Sequence, residues 1–77
     1  MAGWMIAAAP DGTITVSGRK EDADTARIGG RMLWLMRENG WDRMAVTGSG
    51  DTVRSVFLDG AEADACQIEG IARLLGL

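Results

Sequence analysis

Val53-Arg54-Ser55-Val56-Phe57-Leu58-Asp59-Gly60-Ala61-Glu62 is the stretch on which the fold of this chain turns. Read as a helix over 53–63, it would leave 66–69 as a following strand. Read as a strand over 53–58, it pairs with 44–47 across Gly48-Ser49-Gly50-Asp51, and a helix follows over 61–75. The second reading accounts for more. Val53, Val56, Phe57 and Leu58 suit a pleated, half-buried strand. Asp59 and Glu62 have the spacing of N-cap and N3 in a capping box. Beyond them Ala61, Ala65, Ile68, Ala72 and Leu75 recur at helical intervals, and Gly76 offers a C-terminal stop.

The same order of elements stands upstream. Residues 4–9 are a short apolar run, and Thr13-Ile14-Thr15-Val16-Ser17 alternates with period two. Pro10-Asp11-Gly12 between them is turn chemistry, so the pair reads as a hairpin. Ile14 and Val16 are expected to face the core, with Thr13, Thr15 and Ser17 turned away. A helix follows over about 21–39. Glu21, Asp22 and Asp24 sit at its start and Arg37 in its last turn, as the macrodipole favours, and Asn39-Gly40 ends it. At 100° per residue Ile28, Gly29, Met32, Leu33, Leu35 and Met36 share one face. Arg27, Arg31 and Glu38 lie opposite, and Trp34 falls on the polar side of the boundary. Gly29, Gly30 and Gly70 disfavour a helix interior, which points to close approach of helix to helix or helix to sheet.

The two halves also share letters. Ala23-Asp24-Thr25-Ala26-Arg27-Ile28-Gly29-Gly30 returns as Ala63-Asp64-Ala65-Cys66-Gln67-Ile68-Glu69-Gly70, each after two strand-like runs that open behind a tryptophan, Trp4 or Trp41. The expected fold is α+β: one domain of two ββα units in tandem, about 1–40 and 41–77. This ββαββα order gives a four-stranded, mainly antiparallel sheet with two helices on one face and a pseudo-twofold axis between the units.

Composition narrows the chemistry. Of 77 residues 47% are hydrophobic, too many for a disordered chain. Histidine is absent, which removes the commonest general base and metal ligand. The lone Cys66 can form neither an intrachain disulfide nor a four-ligand zinc site, and it lacks a histidine to activate it. The net charge of −3 argues against a protein devoted to phosphate backbones. The opening run 1–10 lacks the basic start of a signal peptide, and no stretch reaches the ~20 apolar residues of a membrane span. A cytoplasmic protein is expected, without metal or cofactor. Gly48-Ser49-Gly50-Asp51-Thr52 lacks the spacing and the lysine of a phosphate loop and reads as a hairpin turn. Glu21, Asp22 and Asp24 diverge on a helix, so helix-terminal charge explains them better than a cation site.

What remains is surface. Trp34 has Arg27, Arg31, Arg37 and Glu38 as helical neighbours, and tryptophan with arginine is the composition of a binding hot spot. Internal cation–π packing, or packing against Trp41, is the competing reading. Leu74 is its counterpart in the second helix. The sheet face away from the helices, with Met5, Ala7, Ala9, Thr13, Thr15, Ala45 and Thr47, is flat and uncharged, which favours a partner or a second copy; Phe57 joins it if Val56 and Leu58 point inward. The expected function is a non-catalytic protein-binding module that self-associates, a stoichiometric inhibitor or adaptor. In size and charge alone it resembles small phage and mobile-element proteins that block host defences, anti-CRISPR proteins among them. Trp34, Arg27, Arg31, Arg37 and Leu74 are the expected contacts. The alternative is a nucleic-acid accessory module using the open sheet face or a basic edge of Arg19, Lys20 and Arg43.

Overall fold

The structure, a computed structural model, describes residues 3–77; Met1 and Ala2 of the opening run lie outside them. The elements are β1 (Gly3–Ala8), β2 (Ile14–Gly18), α1 (Asp22–Asn39), β3 (Met44–Ser49), β4 (Thr52–Leu58), β5 (Ala61–Glu62) and α2 (Ala65–Leu74). The chain is α+β. Its strands form one antiparallel sheet in the order β2-β1-β3-β4-β5.

The reading of 53–58 as a strand holds, but the chain beyond Leu58 departs from expectation. The sheet has five strands, not four, and the element order is ββαβββα. Asp59 and Gly60 both have positive φ, 53° and 85°, as a two-residue type I′ hairpin requires. They turn the chain back so that Leu58 pairs with Ala61 and Phe57 with Glu62. Asp59 therefore caps no helix. The capping box lies five residues on: Asp64 accepts from the Gln67 N–H at 2.8 Å, and Gln67 Oε1 accepts from the Asp64 N–H at 3.1 Å. Helix α2 accordingly begins at Ala65 rather than Ala61.

The caps also re-register the repeat. Ile28 stands seven residues beyond Glu21, the N-cap of α1. Its counterpart by position is Ile71, seven beyond Asp64, and Ile71 is the buried residue of α2. The shared letters had matched Ile28 with Ile68. Asp24 lies inside a helix and Asp64 before one, so the lettered repeat does not mark equivalent places.

Both helices pack on the sheet face that carries Trp4, Ile6, Ala8, Met44, Val46 and Val56. From α1 come Ile28, Met32, Leu35 and Met36, with Leu33 partly covered; Ile71 and Leu75 close the other side. Gly29 has the expected role, since a Cβ there would lie 3.2 Å from the Ile14 side chain. Gly30 and Gly70 have open space around them and serve no such contact. Val16 departs from expectation: it shares its face with Ile6, yet it is 43% exposed, on the edge strand of the sheet. The hairpin before it closes as a type I turn with a G1 bulge: Gly12, φ 88°, donates to Ala9, and Ala9 donates to Thr13.

Candidate protein-interaction surface

The polar strip of α1 points toward the end of α2. Helix α2 finishes in a Schellman arrangement around Gly76, φ 79°: the Gly76 N–H donates to Arg73 and the Leu77 N–H to Ala72. The carbonyls of Leu74 and Leu75 are left over at the negative end of the helix dipole. Arg27 Nη1 donates to the Leu75 carbonyl at 2.7 Å, and Arg31 Nη1 to that of Leu74 at 3.2 Å. Arg27 Nη2 also lies 3.4 Å from Asp24. These two arginines tie the helices together, a role that the helical wheel, which treats one helix at a time, did not register.

Trp34 follows Arg31 by one turn and is 52% exposed; Leu74, whose carbonyl Arg31 holds, is 53% exposed. Trp34 is thus not packed into the core, whereas Trp41 is partly buried against it. Among the described residues a cation–π contact is found elsewhere, with Lys20 Nζ 5.3 Å from the Trp4 ring centroid. Arg37 is separate from the other two arginines. It lines an open groove with Pro10, Asp11 and Trp41, beside the β1–β2 turn.

The opposite sheet face carries small residues, but it is not uncharged as expected: Glu62 stands opposite Phe57, and Arg54 lines a groove with Met5, Ser17 and Thr47. Met5 is 37% exposed; Ala7, Ala45, Thr47 and Phe57 are half-buried. Val56 is fully buried, which places Phe57 on this face. Thr47 and Ser55 share a short cross-strand hydrogen bond there.

The basic edge does not assemble. Arg43 precedes β3 at the end of the sheet where Ala8 pairs with Met44, while Lys20 lies at the other end, against Gly50. The Lys20 side chain is only 5% exposed and is held between Asp24 and Asp51. Cys66 is exposed, and among the described residues no group of three acidic, histidine or cysteine side chains could hold a metal ion. Among the same residues no helix is long and apolar enough to cross a membrane. No protein-family model, curated protein or solved structure matches this chain.

Proposed function

We propose that this chain is a non-catalytic protein-binding module, an inhibitor or adaptor acting by stoichiometric contact, whose binding surface centres on Trp34 and Leu74. The observation that carries the reading is the exposure of these two large apolar side chains, one a turn beyond Arg31 and the other on the residue whose carbonyl Arg31 holds. Exposed tryptophan beside arginine is where binding energy concentrates in protein interfaces. The hydrogen bonds of Arg27 and Arg31 to α2 fix the surface in advance, so little order has to be gained on binding. In this reading Arg27 and Arg31 build the surface, Trp34 and Leu74 make the contact, and Arg37 is peripheral.

The test is affinity capture from the native host with mass spectrometry, followed by titration of the captured partner. Trp34→Ala and Leu74→Ser are each expected to weaken binding by about 2 kcal/mol or more, with the circular dichroism of the fold retained. Unchanged affinity in both variants would remove this surface from the interaction. A salt titration checks the alternative, since nucleic-acid binding falls steeply with salt and apolar docking does not.

A further inference from the structure

The sheet has two edges, and they are finished differently. Strand β5 is two residues long and carries Glu62; shortness and charge are common ways of blocking an edge. Strand β2 is five residues, Ile-Thr-Val-Ser-Gly, with no charge, no proline and an unbroken register against β1. From Thr15 to Gly18 it is exposed.

Its main chain can be oriented from its ends. The Ala9 N–H donates to the Thr13 carbonyl, and the Arg19 N–H donates to the Gly3 carbonyl. Hydrogen-bonded residues alternate along an antiparallel ladder. Thr15 and Ser17 therefore also direct their main-chain groups at β1, and Ile14, Val16 and Gly18 direct theirs outward.

We propose that β2 is the docking edge for a second copy of this chain, pairing antiparallel about a twofold axis at Val16. The pattern is self-complementary, as an isologous contact requires. Val16 would pair with its own counterpart, and Ile14 with Gly18 of the second copy, in both directions. On the helix side the two exposed valines cover one another. On the open side Thr15 meets Ser17, an uncharged pair. Two copies at −3 repel in general, but β2 itself carries no charge to oppose the contact. The Trp34 surface takes no part, so Trp34→Ala leaves this pairing intact.

The test is amide hydrogen exchange by NMR on the full chain over a range of concentrations, with sedimentation run in parallel. The expected result is a concentration-dependent dimer in which exchange at Ile14, Val16 and Gly18 slows by about tenfold or more. Thr15 and Ser17, already bonded to β1, should change little. Val16→Lys sets two ammonium groups at the axis and should yield a monomer. A wild-type chain that stays monomeric at every concentration overturns the proposal. So does a dimer whose new protection falls elsewhere, or a monomer that gains protection at these amides only from a foreign strand. The wild-type exchange pattern decides the matter even if Val16→Lys folds poorly.

Discussion

Arg27 closes the C-terminal end of α2, its Nη1 donating to the carbonyl of Leu75 at 2.7 Å. The bond joins residues 48 apart in sequence and makes α1 a cap for a helix that its own Schellman turn only partly satisfies. Arg27→Ala should therefore destabilise the fold by about 1.5–3 kcal/mol, the range for a charged hydrogen bond. Loss should concentrate at the end of α2. Urea denaturation gives the magnitude, and amide exchange at Leu75, Gly76 and Leu77 gives the location. Arg27→Lys should restore part of the stability, because charge at the helix end survives while the forked geometry does not. Equal loss in both variants would mean that geometry alone matters.

Asp59 and Gly60 make the fifth strand. Asp59 sits at φ 53° and its Oδ1 accepts from the N–H groups of Asp42 and Arg43 at 2.7 and 2.9 Å. The carboxylate thereby holds the loop before β3 against the turn after β4. Asp59→Ala loses both bonds and the tolerance of aspartate for left-handed backbone. A cost of about 1–3 kcal/mol is expected. Asp59→Asn, which keeps an acceptor and the same backbone tolerance, should cost markedly less. Thermal melts of the two variants check the order.

That turn also shows what was legible in the chain. The strands, α1 and its stop at Gly40 could be read locally, because alternation, helical spacing and glycine at φ 71° act over a few residues. The Asp-Gly pair after Leu58 was equally local: it is a strong hairpin signal. The spacing of Asp59 to Glu62 competed with it, and Asp64 to Gln67 offered a second box that fits the helix better. Arg27 and Arg31 were legible only as a polar strip. Their partners are carbonyls at the far end of the chain, and no local pattern specifies which helix end an arginine will meet. The wheel put Trp34 on the polar side of its boundary without deciding between exposure and internal packing; its 52% exposure decides for the surface.

Asp11 gives the fold an acid-sensitive point. Hydrogen bonds from Thr13, from its side chain and then its backbone N–H, hold the Asp11 carboxyl below its ordinary value. A depressed folded-state pKa contributes stability that is fully present above the ordinary aspartate range near 3.9 and is lost as pH falls through the lower folded value. Asp11→Asn keeps an acceptor for the turn but has no proton to take up. Its unfolding midpoint should fall less than that of the wild type over that acidic window. Parallel curves for the two proteins would remove Asp11 from the acid response.

Gly48 and Trp4 are matched across the strand pair β1–β3. A Cβ at Gly48 would stand 2.5 Å from the Trp4 ring, nearer than side-chain carbons approach. The ring cannot easily yield, because its Nε1 donates to the Gly50 carbonyl at 2.8 Å and Trp4 is only 3% exposed. Gly48→Ala should cost about 1–3 kcal/mol through overpacking, with a shift in tryptophan emission as the ring is displaced. Full stability with unchanged emission would show that the strand can shift instead.

Lys20 completes this corner from above. Its Nζ donates to the Gly50 carbonyl at 2.9 Å and to Asp51 at 3.1 Å, lies 3.6 Å from Asp24, and faces the Trp4 ring. Its charge is buried while those of its partners are not: the Asp24 and Asp51 side chains are 34% and 92% exposed. Removing the lysine therefore strands no buried carboxylate, and Gly50 keeps its bond from Trp4. Lys20→Met should cost about 1–2 kcal/mol, from the lost charged hydrogen bond less the apolar packing that methionine retains. Because Nζ is shielded from ions, the loss should persist in molar salt, where a surface ion pair would already contribute nothing. Urea titration of both proteins at low and high salt separates the cases. A difference that vanishes at high salt would reduce Lys20 to a surface charge, and the Trp4 corner would then depend on Gly48 and Gly50 alone.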